Sequence, residues 1–212
     1  MYIPKHFDEP RTEVLHELMR SRSLATLVTL SGAGIVANHI PLLLSDASAP
    51  LGTLCGHVSR ANALWQDFDP KVEALAIFAG PDTYVTPSWY PTKNETGRAV
   101  PTWNYVVAHA YGTLRVIEDR AWLRAHVEEL TRHKESPRKE PWKVSDAPED
   151  YIERLLSGIV GLEMTLTRIE GKWKVSQNQP DINRDGVVRG LEEIGDDTSL
   201  AMAQLVKERG PK

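Results

Sequence analysis

The sequence contains one cysteine, Cys55, among its 212 residues. A single cysteine excludes an internal disulfide and any metal centre built from several thiolates. No apolar run approaches the roughly 18 residues that a transmembrane helix needs, and the first residues carry no charged-then-apolar leader. We therefore expect a cytoplasmic protein with no membrane partner and, since no ligand spacing for a metal occurs around its histidines, no metal site.

The sequence also lacks the positive charge that favours nucleic-acid binding. Its formal net charge is −4 and its pI is near 6.0, whereas non-specific binding depends on neutralised phosphates. The densest basic group comprises residues 132–134 and 138–139, and its simpler interpretation is a solvated helix end. DNA is therefore a possible partner that the charge does not support.

The phosphate-binding glycine motifs of dinucleotide and nucleotide sites are missing as well. Any phosphate-bearing cofactor must then be held by side chains and irregular backbone. What is present is a mainly antiparallel strand pattern with helices at the ends and late in the chain, which predicts a mainly β (α+β) fold, a small barrel, in a single domain over residues 1–212. Strands are predicted at 24–30, 35–44, 52–58, 72–79 and 102–116, and a hairpin that turns at Gly171 is predicted from 162–167 and 173–175.

Helices are predicted at both ends of the chain and between the later strands. Their ranges are 10–22, 62–68, 120–133, 148–159, 180–191 and 200–208, so that the part from about 180 to 212 is helical. Residues 81–101 contain four prolines. Because proline removes ladder donors and fixes φ, this stretch is predicted to be an irregular loop of functional importance.

An aromatic cluster in residues 84–90 and 100–105 is the densest candidate for chemistry, with Tyr84, Trp103 and the amide of Asn104 as its contacting groups. Flat rings with polar tips are suited to packing beside a planar heterocycle. The same pattern also fits an aromatic core plug with a dimer contact, so both interpretations stay open.

A second cluster, residues 57–62, stands at a strand end. Arg60 and Ser59 suit a phosphate, because a guanidinium binds phosphate oxygens bidentately and a hydroxyl adds a donor. Asn62 fits a helix cap equally well, and Arg98 of the proline-rich loop is either a ligand contact or solvated. His57 belongs to the same cluster.

Two further polar pairs interrupt or end apolar strands. Asn38 and His39 precede Pro41, which indicates a ligand-facing or edge position, although an isolated histidine is more often a satisfied core residue. Gln177 and Asn178 follow the predicted hairpin, where capping alone would explain Asn178. Cys55 lies in an apolar strand and is expected to be an inert core thiol.

Five segments, taken in order, closely resemble the PaiB family of FMN-binding negative transcriptional regulators. They are residues 1–7, 56–62, 84–90, 100–105 and 174–178, and the resemblance extends to about residue 191. It implies an antiparallel split β-barrel, like that of pyridoxamine-phosphate oxidases, with peripheral and C-terminal helices. It also implies a homodimer with flavin sites at the subunit interface.

The resemblance assigns roles to these residues. It implies that His57, Ser59, Arg60 and Asn62 lie near the FMN phosphate and ribityl chain, that Tyr84, Trp103 and Asn104 approach the isoalloxazine, and that Gln177 and Asn178 close the pocket. Family members often follow Ser-Gln-Asn with a basic residue, whereas Gln179-Pro180 stands here. If that basic residue helps to hold phosphate, FMN binding is weaker in this chain.

Three functions follow as hypotheses. The first is an FMN-binding negative transcriptional regulator or redox-responsive regulatory protein. The second is a flavin-dependent oxidoreductase that uses NAD(P)H, in which the cofactor carries the chemistry. The third is a haem-binding split barrel with His39 or His109 as axial ligand, which no spacing in the sequence favours.

Overall fold

The structure, a computed structural model, describes residues 1–45 and 49–209. In these residues it contains seven strands and six α-helices. The strands are β1 (Leu24–Ser31), β2 (Gly34–Pro41), β3 (Leu43–Ser45), β4 (Thr53–Ser59), β5 (Ala74–Val85), β6 (Thr102–Ile117) and β7 (Ile159–Lys174). The helices are α1 (Thr12–Ser21), α2 (Lys93–Thr96), α3 (Arg120–Glu135), α4 (Glu149–Ser157), α5 (Asp181–Ile194) and α6 (Asp197–Glu208). None of the described helices is both long and apolar enough to cross a membrane.

The chain divides into two compact units. Unit 1 contains Met1–Leu18, Ala79–His109 and Glu170–Lys212, and unit 2 contains Met19–Phe78 and Ala110–Ile169. The strand order of the antiparallel sheet is β2-β1-β5-β6-β7-β4-β3. The single domain over residues 1–212 stays a prediction.

Unit 2 contains the strand crossing that makes a barrel. β2 pairs with β1 at one end of the strand order and β3 pairs with β4 at the other, yet only Leu42 separates β2 from β3 in the chain. The chain therefore leaves one edge of the sheet and joins the opposite edge at once, which closes the sheet on itself. The single run predicted over 35–44 is divided at this point.

The barrel of unit 2 buries alternate residues of its strands. In β7, Leu162, Met164 and Leu166 are buried whereas Thr165 and Thr167 are exposed. Successive side chains of a strand point to opposite faces, so this alternation fills one face of the sheet with apolar groups. The alternation predicted for 162–167 is confirmed.

Helix α3 begins where the sequence predicts it. The Oδ1 atom of Asp119 accepts a hydrogen bond of 2.7 Å from the backbone N–H of Trp122, which satisfies a donor of the first turn. Leu123 of α3 then packs with Val144 and with Ile152 and Leu156 of α4 in a buried cluster. The predicted cap at Asp119 and the buried positions of Leu123, Ile152 and Leu156 are confirmed. The stripe predicted for α4 was wrong at two residues, because Leu155 is exposed and Ile159 begins β7, and Pro148 precedes the first turn.

In unit 1, α5 packs closely on the 3-10 helix Pro87–Trp89 through two glycines. A Cβ added at Gly186 would overlap the carbonyl oxygen of Trp89, and one added at Gly190 would overlap its indole ring. Only residues without a side chain allow α5 to approach this closely. The two predicted C-terminal helices are confirmed as α5 and α6. Residues 210–212 of the predicted helical part lie outside the described residues.

Two predictions about strands were wrong. β5 continues through Pro81 to Val85, so the strand is longer and the irregular loop shorter than predicted. β1 pairs with residues 75–77 of β5, and this ladder needs no donor from Pro81. β7 is continuous through Gly171 and forms no hairpin there. A Cβ at Gly171 would overlap Leu15 and approach the carbonyl of Glu9 to 2.9 Å, so this glycine permits a close packing contact, not a turn.

The short helix predicted over 62–68 was also too long. A 3-10 helix covers only Ala63–Trp65. The side chain of Asn62 accepts a hydrogen bond from the backbone N–H of Leu64 at its start, as the capping interpretation of that residue predicts.

Candidate functional site

The end of β4 gathers several of the predicted residues of unit 2. Ser59 Oγ accepts a hydrogen bond of 3.2 Å from the backbone N–H of Ala61. Asn62 Nδ2 donates one of 2.9 Å to Oδ1 of Asn38 on β2. The structure thus brings Asn38, Ser59, Arg60 and Asn62 to one place, which we call the strand-end cluster.

Arg60 of the strand-end cluster is held on two sides. Its Nε donates to the carbonyl oxygen of Ser157 at 3.0 Å, and its Nη1 donates to Oε2 of Glu118 at 2.8 Å. The guanidinium also lies over the ring of Trp65, 5.7 Å from the centroid. Among the described residues its Nη2 has no hydrogen-bond partner, and 39% of the side chain is exposed, so an oriented donor remains for a ligand.

The two predicted histidines of unit 2 lie in different surroundings. His39 is exposed on β2, at the end of the strand order, and its Nδ1 lies 3.1 Å from Oγ1 of Thr26. It therefore occupies an edge position and is not a core histidine. His57 is half-buried, and its Nδ1 lies 3.2 Å from Nε2 of His126 on α3.

Unit 1 presents the predicted aromatic residues at its surface. Tyr84 is 48% exposed and Trp103 is 53% exposed. Their rings meet edge to face, with centroids 6.1 Å apart. We call this pair, with the exposed Val100 beside Trp103 in sequence, the aromatic patch. An aromatic core plug is excluded for these two rings.

Asn104 is buried next to the aromatic patch in sequence, with 1% of its surface exposed. Its Nδ2 donates to Oγ of Ser176 at 2.9 Å. Ser176 has φ +64°, a left-handed conformation that is uncommon for a residue with a side chain and often marks a functional site. The buried pair fixes β6 to the end of β7 within unit 1.

The remaining predicted residues of unit 1 are Gln177, Arg98 and Asn178. Gln177 is satisfied by backbone, because its Oε1 accepts from the N–H of Val175 and its Nε2 donates to the carbonyl of Trp173. Arg98 and Asn178 are exposed.

The sequence of residues 1–168 matches the family model described as "Putative FMN-binding domain". The chain belongs to this FMN-binding family. Its cofactor is FMN, and its fold is the split β-barrel, an α+β architecture. An uncharacterised protein of Emericella nidulans is 36% identical over 99% of this FMN-binding chain and 98% of the relative. The protein called "Protease synthase and sporulation protein PAI 2" of Bacillus subtilis is 29% identical over the same shares.

A solved structure agrees with the fold. The flavocytochrome Anf3 of Azotobacter vinelandii superimposes with a TM-score of 0.57 at 10% identity, over 81% of this FMN-binding chain and 72% of its own.

The donor sets of the two units fit the chemistry of FMN, each in its own way. In unit 2, the strand-end cluster offers a guanidinium donor, a hydroxyl and two amides, the groups that bind phosphates and polyols. In unit 1, Tyr84 and Trp103 offer half-exposed aromatic faces to a planar ring. These residues fit the cofactor, while their individual contacts stay predictions.

The main residue that the sequence analysis missed is His126, which is 6% exposed. Its ring stacks on Trp122 at an interplanar angle of 15° and contacts His57. It follows Leu123 by three positions and so stands on the apolar stripe predicted for α3. A histidine on such a stripe was the available signal.

Burial and the neighbouring His57 lower the pKa of His126 to about 4. An unfolded chain binds this proton near pH 6.5, so stability is expected to fall as the pH drops from about 6.5 towards 4. The free energy of unfolding is expected to fall by about 3 kcal/mol over this range. Urea unfolding measured across this range tests it, and His126→Phe should flatten the slope whereas His6→Gln, at an exposed histidine, should not. An unchanged slope in His126→Phe would contradict the assignment.

Two of the basic residues that raised the question of DNA are paired with carboxylates. Arg132 pairs with Glu129 and Arg138 with Glu135 at the end of α3. These two arginines are therefore offset by neighbouring glutamates, which agrees with a solvated helix end. Among the described residues, no three histidine, cysteine, aspartate or glutamate side chains are grouped as metal ligands.

Proposed function

We propose that the chain is a PaiB-type regulatory protein whose signal is the binding or the redox state of FMN. The observation that carries this proposal is the exposed aromatic patch in a chain of an FMN-binding family. The Bacillus subtilis relative, named for protease synthesis and sporulation, supports a regulatory role. Bound FMN would supply hydride and single-electron chemistry.

The chain's own residues would hold the cofactor by two kinds of contact. Arg60 would donate Nη2 to the phosphate while Glu118 and Ser157 keep the guanidinium in place. Trp103 and Tyr84 would pack against the ring system. Lys174, whose Nζ donates to Thr102 and to the carbonyl of Trp103, would keep the backbone under Trp103 in place.

Trp103→Ala is expected to weaken FMN binding at least about tenfold, because it removes one of the two exposed ring faces. Trp142→Ala is a matched control, since Trp142 is 46% exposed at a distant point of the sequence. Quenching of flavin fluorescence during titration measures both affinities. Equal FMN affinities of the two variants would show that Trp103 does not contact the cofactor.

The phosphate role of Arg60 has a separate readout within this experiment. Arg60→Gln should weaken FMN binding about tenfold and leave riboflavin, which lacks the phosphate, unchanged. An equal loss of affinity for both flavins would instead show that Arg60 stabilises the strand-end cluster and does not bind the phosphate.

A second candidate function is an NAD(P)H-dependent oxidoreductase. The half-exposed aromatic patch favours it, because a reductant reaches a cofactor at the surface without a channel. FMN-loaded protein should then oxidise NADPH or NADH steadily in air. A regulator would show no turnover, and a gel shift with FMN present and absent would report direct DNA contact.

We further propose a homodimer, for which the exposed Tyr2, Tyr84, Val100 and Trp103 of unit 1 offer apolar area. Light scattering after size exclusion measures the mass. A mass of one chain at micromolar concentration would reject it.

A further inference from the structure

A half-enclosed cavity of about 470 Å³ lies in unit 2, beside α3. We call it the α3 cavity. None of the twelve residues predicted to bind FMN lines it. Half of its lining residues are apolar, namely Leu42, Leu43, Leu44, Cys55, Trp122 and Ala125. This volume is in the range of small-molecule sites.

The α3 cavity is also lined by two buried polar residues, Ser23 and His126. His126 is more than nine-tenths buried, and its ring is fixed by stacking on Trp122 and by the contact of Nε2 with His57. Its second ring nitrogen, Nδ1, has no hydrogen-bond partner among the described residues. Because His126 lines the cavity and this nitrogen is not among the fully buried atoms of the described residues, it can pair with a ligand atom in the cavity.

The charges around the α3 cavity favour an uncharged ligand. Arg20 and Glu129, which carry opposite charges, line it together with His133. Burial lowers the pKa of His126, so its imidazole is neutral at pH 7. Burial likewise raises the pKa of Cys55 to about 11, which keeps the thiol protonated. An anion or a cation that enters the cavity would therefore lose its hydration free energy without gaining a compensating ion pair.

We propose that the α3 cavity is a second small-molecule site, which binds an uncharged phenol of one or two rings with its hydroxyl on Nδ1 of His126. A hydroxyl both donates and accepts, so it pairs with either tautomer of the imidazole. A flat ring packs against the indole of Trp122 and the leucines. This proposal does not rest on the FMN function proposed above, although His57, which the resemblance places near FMN, contacts His126.

Titration with 2-naphthol, followed by ligand-observed NMR, tests the proposal on the full chain. We expect binding with a Kd below about 1 mM. His126→Phe keeps the aromatic shape and should weaken 2-naphthol about fivefold or more, while naphthalene, which has no hydroxyl, should bind both proteins equally. The anion 2-naphthoate should bind more weakly than 2-naphthol. No binding of 2-naphthol, or tighter binding of 2-naphthoate, would overturn the proposal.

Filling the mouth of the α3 cavity gives a second, fold-neutral test. Ala125 is exposed and lines the cavity, whereas Ala121 is exposed one turn earlier on α3 and does not. Ala125→Trp should abolish 2-naphthol binding, and Ala121→Trp should preserve it. FMN-loaded protein should bind 2-naphthol as well as FMN-free protein does. Displacement of 2-naphthol by FMN, or equal binding by both tryptophan variants, would contradict a separate site.

Discussion

Replacing Gly186 by alanine is expected to lower the free energy of unfolding by about 2 kcal/mol, because the new methyl group overlaps the carbonyl oxygen of Trp89. Alanine is otherwise favoured over glycine inside a helix by about 1 kcal/mol, so the sign of the effect decides whether α5 packs on residues 87–89. In a chain of this size the melting temperature should fall by about 4–8 °C. Asp185→Ala, at an exposed neighbour on α5, should leave it nearly unchanged.

Gly190 allows the nature of this contact to be tested further. Its alanine variant overlaps the indole ring of Trp89, a side chain, whereas that of Gly186 overlaps backbone. Trp89→Ala should therefore relieve the cost of Gly190→Ala but not that of Gly186→Ala. An unchanged or higher melting temperature for Gly186→Ala would show that α5 does not pack on Trp89.

Glu9→Gln is expected to destabilise the protein at pH 7 by about 2 kcal/mol. Glu9 is 1% exposed and accepts hydrogen bonds of 2.7 Å from both Nε and Nη2 of Arg11, and a further one from Arg209. Breaking a buried ion pair typically costs about 3–5 kcal/mol, and the exposure of Arg11, 54% of its side chain, reduces this. Urea unfolding measures the loss, with Glu17→Gln on α1 as an exposed control.

The ion pairs of Glu9 also predict a distinct acid transition. Burial alone would raise the pKa of Glu9, but the bonds from Arg11 and Arg209 outweigh it and lower the pKa to about 2. In the unfolded chain the value is about 4.3. The stabilisation is therefore complete above about pH 4.5 and is lost as the pH falls towards 2. A Glu9→Gln variant with the same acid slope as the native chain would contradict this assignment.

The two acid transitions are separable, because they lie in different pH ranges. His126 acts between about pH 6.5 and 4 and Glu9 below about 4.5. His126→Phe should therefore flatten the pH dependence of the unfolding free energy only in the upper range, and Glu9→Gln only in the lower one.

Local features of the sequence predicted most of the elements. The cap at Asp119, the apolar alternation of residues 162–167 and the two C-terminal helices depend on neighbours within a few residues, so the pattern is sufficient for them. The family was likewise recognisable from five short segments, and with it the cofactor FMN and the split barrel.

Other features depend on residues that are distant in the chain. The sequence predicts a turn at Gly171, but in the structure this residue lies within the continuous strand β7. Leu15 and the carbonyl of Glu9 approach it so closely that a side chain would not fit there. Pro81 predicts the end of a strand, yet β5 continues through it to Val85. The pairing of β1 with residues 75–77 of β5 does not involve the proline.

The candidate site also combines features that the local sequence predicts with features that depend on distant residues. The sequence by itself determined which side chains could serve a flavin: the aromatic rings, the guanidinium of Arg60 and the amides. Only the tertiary structure decided that Tyr84 and Trp103 are exposed while Asn104 is buried against Ser176, and that Arg60 is oriented by Glu118 and Ser157. The physical reason is that exposure and hydrogen-bond partners are set by long-range packing, which no local pattern of residues encodes.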